Sequence, residues 1–257
     1  MTLSPSAGAF ITPTWPAPPS IRALTTTRQL PGNSRPPYDA FNLGLRSGED
    51  MGIVRANRAL LSRAFALPSA PRWLRQVHGN SVVRFAATTP DAEPQADAAS
   101  TSHLGLVLAI LTADCLPILV CADDGSEIAA VHAGWRGLAA GVVESCIQDL
   151  RTPPPNLIAW LGPAIGPLSY EVGDEMRDTF VAQSDSASAA FTPARPGHWH
   201  CDLYTLARQR LAALGVARVY GGDFDTCADA RFYSYRRDKI TGRCASLNWI
   251  DPQSANA

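Results

Sequence analysis

Three residues of metal-binding type stand where apolar runs give way to turns. His78 lies in QVHG, Cys115 in TADC and His132 in VHAG, and a Gly or Pro follows each within two residues. Imidazole nitrogen and thiolate sulfur both suit zinc. Intervals of 37 and 17 residues are too long for a zinc finger but suit a site assembled from different strands. Three protein ligands leave a fourth position for water or a substrate oxygen, as in catalytic zinc sites.

The same residues allow a metal-free interpretation. Cys115 could be a nucleophile, with His132 or His78 as its base and Asp114 or another acid as the group that orients the base. Asp114 could instead be a general acid–base group, or hold a metal-bound histidine in place. A buried structural thiol and hydrogen-bonded histidines would give the same pattern. Because neither a G-x-S-x-G elbow nor the H-x-E…P-C-x-x-C pattern of zinc deaminases is present, the residues alone leave these interpretations open.

The composition limits the partners of the chain. Its 257 residues are 46% hydrophobic and 18% charged, so we expect one domain over 1–257 with a flexible N-terminus over 1–20. The net charge is −1 and Lys239 is the only lysine, so the bulk charge creates no field for nucleic acid or anionic lipid. No apolar run approaches the roughly 18 residues of a membrane helix. We therefore expect neither a nucleic-acid partner nor a membrane partner.

The cysteines and the N-terminal segment bear on the compartment. Six cysteines occur without a C-x-x-C pair, and a chain of this length folds without disulfides. The first twenty residues lack the basic start and continuous apolar segment of a signal peptide. We expect a reduced, cytoplasmic protein, and the oligomeric state stays open.

Strand and helix patterns alternate along the chain. Apolar or alternating runs predict strands at 21–30, 104–115, 117–123, 127–134, 157–166, 216–222, 231–237 and 244–250. Apolar spacing predicts helices at 50–66, 136–150, 173–183 and 203–214. Asp202 is the expected N-cap of the last helix, and Gly215 its stop. The alternation predicts an α/β or α+β fold, a sandwich of mixed β-sheet flanked by helices.

Several segments fall outside this alternation. Residues 31–50, rich in Gly, Pro, Asn and Ser, predict a long ordered loop, and such loops are uncommon unless they have a function. The run 72–86 predicts a hairpin around HGNS, and the polar stretch 88–102 predicts a mobile loop. His198 and His200 fit a solvated loop better than a metal pair.

Seven motifs, in order, resemble the YfiH family over nearly the whole chain. They are FNLG (41–44), ANR (56–58), QVHG (76–79), TADCLPIL (112–119), AAVHAGWRG (129–137), GPAIGPLSYEVG (162–173) and FYSYRRDKITGR (232–243). Members of this family are also called laccase-domain proteins, purine nucleoside phosphorylases or peptidoglycan editing factors. After GPAIGP many relatives carry a Cys where this chain has Leu168 and Ser169, which argues against an essential thiol there.

The resemblance implies a YfiH-like fold in which His78, Cys115 and His132 hold zinc. It implies phosphorolysis of adenosine, inosine and methylthioadenosine, with adenosine deamination as a further activity. Phenol oxidation with copper is also ascribed to the family, but five histidines are few for the several copper centres of a laccase. Two alternatives stay open: a Cys or zinc amidase that edits peptidoglycan precursors, and a non-catalytic metal-binding protein.

Phosphorolysis also needs groups that bind phosphate and the nucleoside. Arg136 is the first candidate, because it stands at the predicted start of the helix after HAGW, where free N–H groups attract anions. Asn42 and Arg58 are added by the resemblance. A surface salt bridge is the alternative role for each arginine. Gln76 and Trp135 are expected to line the pocket, although Trp135 would also fit a core position.

Overall fold

Two β-sheets packed face to face form the centre of the fold. The computed structural model describes residues 8–89 and 92–253. Its strands are β1 (Phe10–Ile11), β2 (Ile21–Thr26), β3 (Val82–Arg84), β4 (Ala98–Thr101), β5 (Leu108–Thr112), β6 (Leu116–Ala122), β7 (Ile128–Ala133), β8 (Leu157–Leu161), β9 (Glu171–Gly173), β10 (Phe191–Pro193), β11 (His198–Cys201), β12 (Arg218–Gly221) and β13 (Cys244–Ile250). Its helices are α1 (Met51–Ala64), α2 (Trp135–Ala139), α3 (Val142–Asp149), α4 (Asp174–Val181), α5 (Leu203–Ala213) and α6 (Tyr235–Asp238). Within the described ranges, no helix combines the length and apolar character needed to cross a bilayer.

The strands are divided among three sheets. A four-stranded antiparallel sheet has the order β1-β2-β13-β5, and a six-stranded mixed sheet has the order β12-β8-β6-β7-β4-β3. A small sheet has the order β10-β11-β9. Because β5 and β6 follow each other in the chain but belong to different sheets, residues 113–115 cross from one sheet to the other. This architecture confirms the predicted combination of mixed sheet and helices.

Apolar residues on both faces explain why the central strands of the six-stranded sheet are buried. Every residue of β6 and β7 is buried. Alternate positions such as Ile118 pack with α3 and α5, whereas Leu119 and its counterparts pack against the four-stranded sheet. The far face of the four-stranded sheet packs with Leu61 of α1. The result is four layers in the order helix, sheet, sheet, helix.

Capping carboxylates and a left-handed glycine set the helix boundaries. Asp50 caps α1 and Asp202 caps α5, each by accepting two backbone N–H groups. The helix predicted over 136–150 is interrupted between α2 and α3 at Gly141, whose φ of 86° is left-handed. The other three predicted helices are confirmed as α1, α4 and α5.

The hairpin predicted over 72–86 is wrong. Arg72 and Arg75 form isolated parallel bridges to other parts of the chain, and β3 pairs in parallel with β4. The N–H groups of the intervening turn are bound by the carboxylate of Asp97 rather than by an opposing strand. The segment thus runs from the four-stranded sheet to the edge of the six-stranded sheet.

Residues 88–102 are not one loop. Their last part forms β4, all four residues of which are buried, because small side chains fit between β3 and β7. Residues 90–91 lie outside the described residues. Residues 1–7 of the N-terminus also lie outside the described residues. The N-terminus was expected to be flexible, but Phe10 and Ile11 form β1, which pairs with β2, so that expectation is corrected for β1.

Two smaller predictions also need correction. Residues 231–237 form no strand: the chain bends, and α6 begins after Ser234, whose side chain accepts the N–H of Arg237. His198 and His200 lie in β11, half-buried between β9 and β10, and not in a solvated loop. The long loop over 31–50 is confirmed, since it contains neither helix nor strand.

Candidate active site

Cys115 lies in the tight crossing between β5 and β6. Its neighbour Asp114 has a φ of 86°, a left-handed conformation that residues other than glycine rarely adopt. The Asp114 carboxylate accepts hydrogen bonds from the Thr226 hydroxyl and the Arg236 backbone N–H, each at 2.7 Å. These bonds fix the crossing, and the Cys115 side chain reaches the cavity beside it.

His132 occupies the end of β7 and is held by a buried carboxylate. Its Nδ1 lies 2.8 Å from Oδ1 of Asp97, and both side chains are buried. Asp97 also accepts the backbone N–H groups of Val77, His78 and Gly79. The role of holding a ligand histidine, considered for Asp114, therefore belongs to Asp97. This contact leaves Nε2 of His132 as the nitrogen that can act as a ligand.

His78 completes a cluster of three ligand-type side chains. Its φ is 61°, and its Nε2 lies 3.8 Å from Sγ of Cys115. The rings of His78 and His132 meet edge to face, with centroids 4.8 Å apart. One ligand atom from each of the three residues lies within 4.8 Å of the other two. In the part of the chain that the structure describes, this is the one group of three or more His, Cys, Asp or Glu side chains close enough to share an ion.

The cluster favours an ionised thiol. Burial opposes ionisation of Cys115, but the charge and hydrogen bond of His132, followed by those of His78, lower the pKa of Cys115 to about 6. Burial likewise opposes the charge on His132, but the Cys115 thiolate and the Asp97 carboxylate raise the pKa of His132 to about 9. The metal-free pair is thus a thiolate and an imidazolium at neutral pH.

Gly134 leaves the space that the thiol and one imidazole occupy. A Cβ atom at this position would lie 3.0 Å from Sγ of Cys115 and 3.1 Å from Cδ2 of His78. Contacts this short would displace one of the two side chains. The glycine two residues after His132 is therefore part of the geometry of the site.

The cluster opens into a cavity of about 780 Å³, within the usual range for small-molecule sites. Aromatic rings of Trp135, Tyr170 and Tyr235 contribute to its walls. Its described lining includes a single acidic residue, Asp114, whose carboxylate is already hydrogen-bonded. It also includes five basic residues, Arg46, Arg136, Arg236, Lys239 and Arg243.

Most of these cations lack a carboxylate partner. Arg46 forms an ion pair with Glu93 at 2.8 Å. The other four form no ion pair with any described carboxylate, although each lines a cavity that holds a thiolate. Cations left unpaired in a partly apolar cavity favour an anionic ligand. The site can therefore bind an anion beside the cluster.

The structure places two of the predicted substrate-binding residues at the cavity. Arg136 is exposed at its edge, with its guanidinium 4.5 Å from the ring centre of Trp135. Gln76 lines the cavity, and its amide donates to and accepts from the backbone of Leu111, each at 2.8 Å. Gln76 thereby attaches the His78 segment to β5.

The other two predicted residues lie outside the cavity. The Arg58 guanidinium pairs with Glu93 at 2.7 Å and lies 4.0 Å from the ring centre of Trp73. Asn42 is fully buried, and its side chain accepts the backbone N–H groups of Gly44 and Arg243. Both therefore shape the protein behind the cavity wall and do not line it themselves.

Sequence reasoning missed the residues that act through contacts distant in the chain. Asp97 fell within the stretch predicted as a mobile loop, and the one signal for it was a carboxylate directly before a run of small residues. Arg236, Lys239 and Arg243 fell in a stretch of which the first part was predicted as a strand. Their basic character was visible in FYSYRRDKITGR, but not their convergence on Cys115.

Sequence comparison places the chain among known proteins. Residues 22–251 match the family described as multi-copper polyphenol oxidoreductase laccase. Purine nucleoside phosphorylase of Xylella fastidiosa (strain 9a5c) is 52% identical over 246 residues, which cover 92% of this chain and 95% of that protein. Purine nucleoside phosphorylase YfiH of Escherichia coli (strain K12) is 48% identical over 242 residues, which cover 94% of this chain and 98% of the relative.

A solved structure shows the same fold. The crystal structure of Neisseria meningitidis protein NMB0706 superposes with a TM-score of 0.90 at 42% sequence identity. The match covers 95% of this chain and 99% of that one. The likeness in fold therefore extends over both large sheets.

Proposed function

The chain belongs to the YfiH family, described as multi-copper polyphenol oxidoreductase laccase, and we propose that it is a zinc-dependent purine nucleoside phosphorylase. Its proposed substrates are inosine, adenosine and methylthioadenosine, each with phosphate. One observation carries the proposal: a thiol and two imidazoles converge in a cavity that also holds cations without carboxylate partners. The names of relatives that are 52% and 48% identical support it.

The donor set of His78, Cys115 and His132 fits zinc. Thiolate and imidazole are preferred zinc ligands, and the three ligand atoms lie within 4.8 Å of one another. Asp97 orients the His132 ring, as an outer carboxylate commonly does in zinc sites. The lowered pKa of Cys115 supplies the thiolate form that binds metal. When bound, zinc would polarise a substrate oxygen or activate a water molecule.

The remaining residues match the needs of phosphorolysis. The reaction breaks the bond between purine N9 and ribose C1′ and forms a bond from a phosphate oxygen to C1′. Phosphate must be held beside the ribose, which the cations Arg136, Arg236, Lys239 and Arg243 can do. The rings of Trp135, Tyr170 and Tyr235 offer apolar faces for the purine.

Adenosine deamination is a second activity that we propose for the same cavity, because it needs a water molecule in place of phosphate. The laccase reaction is less compatible with the donor set. The chain has five histidines, and its described residues form one cluster where a laccase needs several copper centres. The unpaired cations favour the phosphate-dependent reaction over deamination and over the laccase reaction.

The proposal is tested by incubating the purified protein with inosine, with and without phosphate. Hypoxanthine and ribose 1-phosphate should form only when phosphate is present, and their formation should be lost in Cys115→Ala. Cys227→Ala is the matched control, since Cys227 does not line the cavity. Adenosine and a muramyl peptide with a mis-incorporated amino acid complete the substrate panel.

Each outcome distinguishes the proposal from an alternative. Inosine and ammonia formed from adenosine without phosphate would show the second proposed activity, deamination, and deamination without any phosphorolysis would contradict the phosphorylase. Release of the amino acid from the muramyl peptide, with no nucleoside cleavage, would indicate an amidase that edits peptidoglycan precursors. Wild-type protein that binds zinc but turns over no member of the panel would indicate a binding protein and contradict the proposal.

A further inference from the structure

Arg243 is held through one nitrogen of its guanidinium, Nη1. Nη1 donates to the carbonyl oxygens of Thr241 at 2.9 Å and Gly242 at 2.8 Å. Among the described residues, Nε and Nη2 have no hydrogen-bond partner, and no carboxylate pairs with this side chain. The edge formed by Nε and Nη2 presents two parallel N–H donors, the arrangement that matches two oxygens of a phosphate.

The position of Arg243 brings this edge to the reacting centre. It directly precedes β13, whose first residue, Cys244, lies opposite Thr112 at the end of β5. Arg243 therefore stands beside the 113–115 crossing and lines the same cavity as Cys115. Burial lowers the pKa of Arg243, and the charges of Cys115 and Asp114 oppose that effect.

The other cations of the cavity are less suited to a direct contact. Arg46 is exposed and already paired with Glu93. Arg136 is exposed to solvent and lies against Trp135, so water screens its charge. Arg236 donates through Nη1 to the carbonyl oxygen of Glu171 at 2.9 Å. Arg236 is half-buried as well, but its guanidinium lies 5.0 Å from the ring centre of Tyr170. Among the described arginines of the cavity, Arg243 alone is half-buried with neither a carboxylate partner nor an aromatic ring against its guanidinium.

A buried amide fixes the backbone that carries Arg243. Oδ1 of Asn42 accepts the N–H of Arg243 at 2.8 Å and the N–H of Gly44 at 2.9 Å. Its Nδ2 donates to the hydroxyl of Ser47 at 2.7 Å and to the carboxylate of Glu49 at 2.8 Å. Asn42 is fully buried. It therefore joins two walls of the cavity, the loop at 44–47 and the start of β13.

We propose that Arg243 binds the attacking phosphate through Nε and Nη2, and that Asn42 is the positioning residue that holds Arg243 in place. That phosphate is a substrate rests on the proposed function. The first phosphate contact then belongs to the last residue of the motif FYSYRRDKITGR, a position not among the predicted substrate-binding residues. Arg136 keeps an outer role at the edge of the cavity.

The test measures phosphate binding and phosphate kinetics on the full-length protein. Titration calorimetry with inorganic phosphate gives Kd, and initial rates with inosine give KM for phosphate and for inosine separately. In Arg243→Gln both phosphate constants should rise about 10- to 100-fold, since one charged bidentate contact is lost. KM for inosine should stay close to the wild-type value. In Arg243→Lys the phosphate Kd and KM should lie between those of wild type and Arg243→Gln, because an ammonium cannot bind with two parallel donors.

Controls separate this inference from the proposed function. Arg55→Ala removes an exposed arginine of α1 that does not line the cavity and should change neither constant. If wild type binds phosphate without cleaving inosine, and Arg243→Gln abolishes binding, the proposed function fails and the inference is supported. If Arg243→Gln binds phosphate as tightly as wild type does, the inference is overturned while phosphorolysis stands. The same holds if Arg136→Ala is the only variant in which phosphate binding is weaker.

The role of Asn42 is tested by a split between KM and kcat. Asn42→Ala should raise KM for phosphate, and adding it to Arg243→Gln should raise that KM no further, because both changes remove one interaction. Asn42→Asp keeps the oxygen that accepts the Arg243 N–H and should restore part of the phosphate affinity. A loss of Tm and kcat with an unchanged phosphate KM in all Asn42 variants would show a structural role only and overturn this part.

Discussion

Asp97 serves both histidines of the cluster through one carboxylate. It binds Nδ1 of His132 directly and holds the turn of His78 through backbone N–H groups. Burial favours protonation of Asp97, but the hydrogen bonds from His132 and from this turn lower the pKa of Asp97. One buried charge therefore sets the position of two of the three ligand residues.

Replacing Asp97 should weaken metal binding, although Asp97 acts through His132 and the turn of His78. Asn at this position would turn an NH₂ group toward donors, so we expect zinc affinity to fall about 10- to 100-fold in Asp97→Asn. Competition with a chromophoric chelator measures the loss. Asp229→Asn, which removes a carboxylate paired with Arg231 outside the cavity, is the control. Equal zinc affinity in the two variants would contradict the role of Asp97.

The ionisation of Cys115 predicts a pH profile for the metal-free protein. Because the pKa of Cys115 is lowered to about 6, its thiolate fraction rises as pH rises through that value and is nearly complete at pH 7. Alkylation of Cys115 by iodoacetamide, followed by mass spectrometry, should increase between about pH 5 and pH 7 and then level off. A midpoint near that of an ordinary thiol, about 8.5, would contradict the thiolate–imidazolium pair.

At the scale of elements, the ends of three segments create the site. β5 and β6 bring Cys115 to the crossing between sheets, β7 carries His132 as its next-to-last residue, and the bridging segment before β3 carries His78. Sequence patterns predicted β5, β6 and β7 because apolar runs bounded by Gly and Pro are strong local signals. They predicted a hairpin over 72–86 that does not form. The backbone groups of this segment bond instead to distant parts of the chain and to a distant carboxylate.

The close approach at Gly134 gives a test at this scale. Gly134→Ala would place a methyl group against Cys115 and His78, so we expect zinc affinity and turnover to fall at least about tenfold with little change in far-UV circular dichroism. Gly173→Ala is the matched control, since its Cβ would meet no atom closer than 4.0 Å. Gly134→Ala with wild-type zinc affinity would show that the cluster tolerates a shift of its side chains.

At the scale of the whole molecule, the cluster joins parts that belong to different sheets. Cys115 lies after β5 of the four-stranded sheet, and His132 lies near the end of β7 in the six-stranded sheet. The mixed fold could be predicted from alternating patterns and from the motifs of the family. The pairing of the sheets and the convergence of Arg243 and Asp97 on the cavity could not, since they depend on contacts between residues far apart in sequence.

A metal ion shared across this junction should stabilise the folded chain. Zinc in 100-fold excess over its Kd adds about 2.7 kcal/mol, which corresponds to a Tm increase of about 5–10 °C for a chain of this size. Differential scanning calorimetry of metal-free wild type, with and without added zinc, measures the shift. Cys115→Ala should show almost none, whereas a shift of equal size in both proteins would place the stabilising zinc elsewhere.

Zinc content of the purified protein tests most directly whether the thiol and two imidazoles share one ion. Inductively coupled plasma mass spectrometry should find about one zinc per chain in wild type and in Cys227→Ala. Alanine variants of His78, Cys115 and His132 should each contain close to none. Wild-type protein without zinc, or alanine variants that retain it, would contradict the account.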